Sequence, residues 1–266
     1  MKISNLISVY FSPTGTTKKI MEAITRGSGI AQTSTIDMTL PRFIPKELPT
    51  FNNEIVIFGA PVYAGRLPAV SVKRFSKLKG NNTPAVLTVL YGNREFEDAL
   101  IELKDIAVAS GFIPIAGAAF IGEHSYSSPE TPIAVGRPDE DDLARAEDFG
   151  KEIINKLESI DTLKKESSVN VPGNKPYKNG MPPSEDCARS DMGICTYCST
   201  CVTLCPTEAI TPDDNYTTNP KLCIMCCACV KGCPEGARYI DSDRVKKASK
   251  WLSENFTMPK QAKFFI

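Results

Sequence analysis

The 266-residue chain lacks the charge surplus and the long apolar runs that indicate some functional classes. It has one histidine and one tryptophan, and Lys plus Arg balance Asp plus Glu at 31 each, so the formal net charge is zero. Nucleic acids and anionic membranes are recognised through a basic surplus, so this balance argues against both as partners. No apolar run approaches the roughly 20 residues of a membrane helix. The N-terminal sequence MKISNLISVYFS lacks the apolar core of a signal peptide, and a cytoplasmic location is expected.

Cysteine is absent from residues 1–186, and all ten cysteines lie between Cys187 and Cys233. A secreted, disulfide-stapled fold would spread its cysteines through a small chain behind a signal sequence. In a reducing cytosol, such a concentration of thiols indicates metal binding instead. The boundary divides the chain into two parts, which agrees with a length suited to two domains.

Eight of these cysteines form a motif that occurs twice. Each copy reads C-x2-C-x2-C-x3-C-P, first over residues 195–206 and then over 223–234. Three cysteines at this spacing wrap around three corners of a cubane, and the proline after the fourth directs that thiolate towards the other cluster. Two [4Fe–4S] clusters are therefore expected, one held by Cys195, Cys198, Cys201 and Cys233, and the other by Cys223, Cys226, Cys229 and Cys205.

Structural zinc is the alternative for these thiols. Zinc sites use paired C-x2-C, often with histidine, but His124 is far away in sequence and each run of four cysteines ends in proline. The region from residue 187 to 240, with its CPTEAI and CPEGARYI segments, resembles the two-cluster bacterial ferredoxins. Cys187 and Cys227 are left over. For Cys227, a small buried hydrophobe is favoured over a ligand or redox role.

The cysteine-free part alternates strand-like and helix-like segments. Continuous apolar runs such as EIVIFGA and AVLTVLY are typical of strands buried on both faces. Strands are predicted at residues 6–11, 33–37, 54–60, 85–91 and 112–121, and helices at 16–26, 68–78, 95–110 and 139–157. This alternation predicts an α/β fold, a doubly wound five-stranded parallel sheet with helices on both faces.

Three loops follow strands at one edge of this predicted sheet. The loop SPTGTT after the first strand opens a helix, where hydroxyls and backbone N–H groups favour a phosphate, although an ordinary capped turn would look similar. Loops at 59–66 and 91–94 follow the third and fourth strands. For the strand order 2-1-3-4-5, ligands bind beside the first and third strands at their carboxyl ends. Tyr63 and Tyr91 can present aromatic surface to a flat ring there.

These three loops resemble those of the flavodoxin fold, in which SPTGTT matches the loop that binds the phosphate of FMN. The resemblance implies that Ser12, Thr14, Gly15, Thr16 and Thr17 bind phosphate. It implies that the ring is held by Pro61, Val62, Tyr63, Ala64, Gly65, Tyr91, Gly92, Asn93 and Arg94. The segments PVYAGRLP, YGNREFEDAL and GEHSYSS extend the likeness to nearly the whole chain. They resemble the EFR1 family, in which a flavodoxin-like domain precedes a two-cluster ferredoxin.

Three polar residues near these loops allow more than one interpretation each. Acidic residues commonly flank the ring in flavodoxins, but few occur here, and Arg66 and Arg94 would favour an anionic reduced flavin if they point inward. Alternatively, both are solvated surface arginines. His124 follows the fifth strand, where it is a structural residue, part of the wall beside the flavin, or a contact with the ferredoxin-like domain.

Four segments are expected along the chain. Residues 1–160 form the flavodoxin-like FMN-binding domain, and the proline-rich residues 161–186 form a linker or strap across the surface. A small α+β ferredoxin-like domain follows at 187–241. Residues 242–266 form a C-terminal helix and tail.

The favoured function is electron transfer among FMN, two [4Fe–4S] clusters and an external redox partner protein, such as a ferredoxin, a reductase or a terminal enzyme. A flavin-dependent reductase of a small molecule, fed by its own clusters, is the alternative, so whether the protein is an enzyme stays open. A redox sensor or assembly module is the third hypothesis, although no DNA-binding helix or effector surface is visible. No G-x-G-x-x-G fingerprint appears, which disfavours direct oxidation of NAD(P)H.

The metal content tests the cysteine assignment directly. Two cubanes predict about eight irons per chain after purification without oxygen, measured together with zinc by elemental analysis. Four or fewer irons, or stoichiometric zinc, would contradict the assignment.

Overall fold

The computed structural model describes residues 3–164, 167–182 and 184–266. In chain order its strands are β1 (Asn5–Tyr10), β2 (Gln32–Asp37), β3 (Thr50–Phe51), β4 (Ile55–Pro61), β5 (Lys79–Gly80), β6 (Thr83–Tyr91), β7 (Phe112–Ile121), β8 (Ala188–Ser190), β9 (Arg238–Ile240) and β10 (Lys263–Phe265). Its α-helices are α1 (Thr16–Gly27), α2 (Ala69–Phe75), α3 (Ala99–Ala109), α4 (Glu140–Ser159), α5 (Thr200–Leu204), α6 (Ala228–Lys231) and α7 (Asp243–Asn255). None of these described helices is both long and apolar enough to cross a membrane.

The central sheet has the order β10-β7-β6-β4-β1-β2. The pairs β2-β1, β1-β4, β4-β6 and β6-β7 are all parallel, so the five predicted strands lie in the predicted order 2-1-3-4-5. Every residue of β6 and β7 is buried, which explains their unbroken apolar sequences. The prediction of a doubly wound, flavodoxin-like α/β fold is confirmed.

Hydrophobic cores lie on both faces of this sheet, because successive side chains of a strand point to opposite faces. On one face, Phe58 packs edge-on against Phe75 and Phe112. The other face is covered by α1 and α4, which approach closely at Gly27. A Cβ atom on Gly27 would lie 1.9 Å from the Glu147 carbonyl oxygen of α4, so a side chain there would force the two helices apart.

The sheet contains a sixth strand that the sequence did not predict. Strand β10 of the C-terminal tail pairs antiparallel with β7, and its two phenylalanines lie on opposite faces of the sheet. Phe264 stacks on Phe149 with ring centroids 4.8 Å apart, and Phe265 packs 6.5 Å from Phe96. Three residues are too few to display a periodic pattern, so no signal for this strand was visible.

The predicted helix at 95–110 also starts later than expected. It begins at Ala99, because Glu97 has a positive φ of 44° that an α-helix does not accommodate. The residues that precede α3 instead belong to the loop after β6.

The strap between α4 and the cysteine-rich part lies against the α/β part. Val169 N–H donates to the Pro114 carbonyl at 2.7 Å, and the Asp98 carboxylate accepts from the backbone of Asn174 and Lys178 at 2.8 and 2.7 Å. Lys165, Glu166 and Pro183 of the predicted linker lie outside the described residues. In the cysteine-rich part, β8 and β9 form a short antiparallel pair beside α5 and α6.

We expect Phe264→Ala to lower the free energy of unfolding by about 2 kcal/mol, less than the loss of a fully buried phenylalanine because the ring is partly exposed. Chemical denaturation of the intact protein without oxygen measures the change. Met258→Ala is the matched control in the same tail, since its side chain is 80% exposed. Equal effects of the two substitutions would show that β10 does not stabilise the fold.

Candidate cofactor sites

A cavity of about 370 Å³ lies at the carboxyl edge of the sheet, within the size range of small-molecule sites. We call it the large cavity. All three predicted loops contribute to its lining, and the predicted residues among them are Thr14, Thr16, Pro61, Val62, Tyr63, Ala64, Gly65, Tyr91, Gly92 and Arg94. Ser12, Gly15, Thr17 and Asn93 do not line it.

The loop before α1 offers a polar surface beside this cavity. Gly15 precedes the helix with a φ of 82°, and no atom lies within 4 Å of the position that its Cβ would occupy. The Ser12 hydroxyl accepts from Lys18 N–H at 3.0 Å, which orders the loop. The Thr17 hydroxyl is buried and has no hydrogen-bond partner among the described residues. A free hydroxyl and open space at the first turn of a helix fit an anion.

The second loop makes a tight turn at the cavity wall. Tyr63 and Arg66 exchange two backbone hydrogen bonds of 2.8 and 3.1 Å, while Ala64 and Gly65 between them have φ values of 52° and 82°. Two central residues with positive φ are typical of a type I′ turn. This turn orients the backbone of residues 63–65 towards the cavity.

Tyr91 and His124 add two neutral aromatic groups. Burial raises the pKa of Tyr91 to about 12, and its hydroxyl has no hydrogen-bond partner within the described chain. Burial lowers the pKa of His124 to about 4, and its Nδ1 accepts from Tyr126 N–H at 3.0 Å. A Cβ on Gly92 would lie 2.3 Å from the His124 ring, so glycine permits this close approach. His124 thus lies in the cavity wall as well as having a structural contact.

Asn93 contacts the C-terminal tail. Its side-chain amide donates to the carbonyls of Phe256 and Met258 at 2.7 and 3.0 Å and accepts from Lys260 N–H at 2.9 Å. Its side chain therefore holds the segment between α7 and β10.

The two arginines lie in different surroundings. Arg66 forms a bidentate pair with the buried Glu102 at 2.6 and 2.9 Å and does not line the large cavity. Arg94 does line it, but its guanidinium pairs with Glu97 at 2.9 Å through both terminal nitrogens. Neither is a freely solvated surface group. The suggestion that Arg66 points towards the ring is wrong, because Glu102 binds it elsewhere.

The cavity also has walls that sequence reasoning missed. They come from the strap, from helix α7 and from the cysteine-rich part, and include Lys178, Met181, Met225, Val245, Ala248, Trp251 and Leu252. A C-terminal helix was predicted within residues 242–266, but nothing in its sequence indicates which surface its apolar side covers. Only tertiary packing brings these residues to the edge of the sheet.

The eight motif cysteines line two smaller cavities. The first cysteine cavity is lined by Cys195, Cys198, Cys201 and Cys233. The second cysteine cavity is lined by Cys223, Cys226, Cys229 and Cys205. Each cavity thus combines three cysteines of one motif with the fourth of the other, which is the grouping that crossed ligation requires.

The backbone repeats along with the motif. Tyr197 and Ser199 in the first copy have φ values of 56° and 57°, and Met225 and Cys227 at the equivalent positions have 55° and 60°. Left-handed conformations are uncommon in residues other than glycine. Because left-handed residues occur at the same two positions of each copy, the two loops have the same backbone conformation.

The donor sets fit iron–sulfur clusters better than a single ion. Among the described residues, no three His, Cys, Asp or Glu side chains converge on one metal ion. A cubane binds each thiolate at a separate corner iron, so its ligands stand further apart. Burial raises the pKa of Cys226 well above its usual range and that of Cys229 to about 11. Free thiolates would be costly there, whereas iron would offset their charge.

The leftover cysteines differ in burial. Cys227 is buried, lines the second cysteine cavity and donates to the Met225 carbonyl at 3.7 Å, and burial raises its pKa to about 12. Cys187 is half-buried and donates to the Thr218 carbonyl at 3.7 Å.

The large cavity and the second cysteine cavity share a wall. Met225 lines both of them. The pKa of the Tyr63 hydroxyl is raised mainly by burial and further by the thiols of Cys226 and Cys227. Tyr63 of the large cavity therefore lies close to these two cysteines. The second cysteine cavity is therefore the neighbour of the large cavity.

The crossed grouping predicts different effects for the fourth cysteines. Cys205→Ser should damage the cluster held by Cys223, Cys226 and Cys229, whereas Cys233→Ser should damage the other. Iron content and electron paramagnetic resonance of the reduced protein measure which signal is lost. Cys187→Ser is the control and should keep both signals. Loss of the opposite signal in each variant would refute the crossing.

Comparison with known proteins gives one family match and several structural likenesses. A model of 4Fe-4S binding domains matches residues 188–211. The chain is similar to a flavodoxin from the domain Archaea, with 17% identity over 58% of this chain and 99% of the other and a TM-score of 0.40. It is also similar to Fusobacterium nucleatum flavodoxin bound to flavin mononucleotide, with 16% identity over 57% and 98% and a TM-score of 0.39.

No curated protein matches the chain. The TM-scores of the structural likenesses are low, so the fold is assigned from the strand order of the sheet. The chain therefore combines a flavodoxin-like α/β fold with an iron–sulfur region of the 4Fe-4S type in its C-terminal part.

Proposed function

We propose that the protein transfers electrons internally between FMN in the large cavity and two [4Fe–4S] clusters, and exchanges them with an external redox partner protein. The position of Met225 is the observation that favours this function, since one side chain forms part of both the large cavity and the second cysteine cavity. Cofactors bound in these two sites would be separated by little more than this residue.

The FMN site would use the loops at the carboxyl edge of the sheet. The free hydroxyl of Thr17 and the open space at Gly15 suit the phosphate, and the turn at residues 63–65 suits the ring edge. FMN exchanges one or two electrons, whereas each cubane exchanges one at a time. The protein's part is to bind both kinds of cofactor at a fixed separation and to exclude water between them.

The two clusters would have different roles because their surroundings differ. The second cysteine cavity adjoins the large cavity and contains the buried Cys205 and Cys226. The first cysteine cavity contains Cys198, which is exposed. The cluster in the second cavity would therefore exchange electrons with FMN, and the cluster in the first cavity with the external partner. Membership of the EFR1 family and a cytoplasmic location belong to the same proposal.

A second candidate function is favoured by the apolar wall of the large cavity. Val245, Ala248, Trp251 and Leu252 of α7 line it together with Met181 of the strap. An isolated electron carrier does not need such a wall, whereas a flat apolar substrate of a flavin-dependent reductase would contact it. Oxidation of the bound, reduced FMN by such a compound, with the compound reduced in turn, would support this candidate if Ala248→Trp abolished it without loss of FMN.

The internal transfer is tested by photoreduction. Acid extraction should release FMN. Light-driven reduction of the flavin without oxygen, with EDTA as the sacrificial electron donor, should be followed by reduction of a cluster, seen as loss of its visible absorbance. Because both cofactors belong to one chain, the rate should not depend on protein concentration.

The fourth cysteines supply matched variants for this experiment. Cys233→Ser should retain the fast cluster reduction, since it leaves the second cysteine cavity complete, whereas Cys205→Ser should abolish it. A rate proportional to protein concentration, or an extract containing FAD or no flavin, would contradict the proposed function.

A further inference from the structure

Arg238 on β9 is a buried arginine whose described hydrogen-bond acceptors are all neutral. Only 3% of the residue is exposed. Its Nη1 donates to the Ser190 hydroxyl at 2.7 Å and the Tyr216 carbonyl at 2.9 Å. Its Nη2 donates to the Ala188 carbonyl at 3.0 Å and the Thr218 hydroxyl at 2.6 Å, while the buried Nε has no hydrogen-bond partner.

A buried guanidinium normally has an anionic partner, because it stays protonated and its desolvation is costly. Arg66 follows this rule by pairing with Glu102, and Arg137 by pairing with Asp142. The half-buried Arg74 instead donates to backbone carbonyls. No carboxylate of the described residues forms an ion pair with Arg238. Glu235 lies near it on the wall of the first cysteine cavity, but Glu235 is exposed to solvent.

Cysteine sulfurs lie beside Arg238. Arg238 lines the first cysteine cavity with Cys195, Cys198, Cys201 and Cys233. Its Nη2 bonds Ala188 and Thr218, and both of these residues line the second cysteine cavity together with Cys229. Arg238 thus lies next to thiols of both cavities.

We infer that Arg238 is the counter-charge of the two clusters and raises the reduction potentials of both. This inference rests on the proposed function, since it requires cubanes in these cavities. A cubane with four thiolates has a net negative charge, and reduction adds one electron to it. A fixed positive charge in a poorly solvated site stabilises the reduced form more than the oxidised form. Arg238 itself is neither oxidised nor reduced.

Both clusters should be affected. Arg238 lines the first cysteine cavity, and its Nη2 donates to two residues that line the second. Each cluster would therefore gain in reduction potential.

The test compares substitutions that separate the charge from the hydrogen bonds. Arg238→Gln removes the charge and retains two N–H donors, Arg238→Lys retains the charge, and Arg189→Gln removes an exposed charge from the neighbouring strand β8. Midpoint potentials are measured by titration with dithionite and redox mediators, followed by electron paramagnetic resonance. Iron and flavin contents are measured on the same samples.

We expect Arg238→Gln to move the potentials of both clusters to more negative values. Arg238→Lys and Arg189→Gln should stay close to the unmodified protein. Failure of Arg238→Gln to assemble clusters, with normal assembly in Arg238→Lys, would also support the counter-charge.

Two results would overturn the inference. One is a shift in Arg238→Gln no larger than in Arg189→Gln. The other is equal loss of iron in Arg238→Gln and Arg238→Lys, which would show that Arg238 only holds β8, β9 and the loop at Tyr216 together. Absence of cubane iron from the unmodified protein would instead refute the proposed function itself.

Discussion

The antiparallel pairing of β10 with β7 is the contact on which the relation between the two parts of the molecule depends. After α4 the chain leaves the sheet, passes through the cysteine-rich part and returns to the edge of the same sheet. The cysteine-rich part is therefore tethered at both ends. The strap holds one end through the Asp98 carboxylate, and the phenylalanines of β10 hold the other in the two hydrophobic cores. A single flexible linker would leave the segment that carries Met225 free to move away from the large cavity.

Further contacts between the two parts include specific hydrogen bonds, beside the packing of Ile224 against the core of the α/β part. Arg74 of α2 donates to the Pro206 carbonyl at 2.7 Å, next to Cys205. Lys231 of α6 donates to the Glu123 carboxylate at 2.8 Å and to the Ser127 carbonyl at 2.7 Å, beside His124. Arg74 thus binds the loop beside the second cysteine cavity, and Lys231 binds the loop that carries His124 beside the large cavity. Such bonds fix orientation while adding little stability by themselves. A fixed orientation of the two parts suits a molecule whose proposed function depends on the separation of two sites.

Charge is placed differently in the two parts. In the α/β part, Arg66 and Arg137 are neutralised by the carboxylates of Glu102 and Asp142. In the cysteine-rich part, Arg238 is bound only by neutral oxygens and lies beside thiols. The difference is explained if the thiolates and clusters supply the negative charge that pairs with Arg238. The zero net charge of the sequence hides this arrangement, because a total does not report where each charge is buried.

The amino-acid sequence alone determined the α/β fold, the strand order and the cysteine motif. Each of these depends on local patterns, namely continuous apolar runs, loops that follow them and a fixed spacing of thiols. The predicted strands β1, β2, β4, β6 and β7 differ from the observed bounds by no more than two residues at either end. Ten of the fourteen residues predicted to bind FMN line one cavity, since the carboxyl ends of parallel strands share an edge.

Tertiary structure alone decided what local patterns do not encode. It placed β10 on the sheet, directed Asn93 to the tail, paired Arg66 with Glu102 and set α7 against the large cavity. It also made Met225 a shared wall and left Arg238 among sulfurs and neutral oxygens. These outcomes arise from contacts between residues far apart in the chain. Their energies depend on distances that only the folded molecule defines.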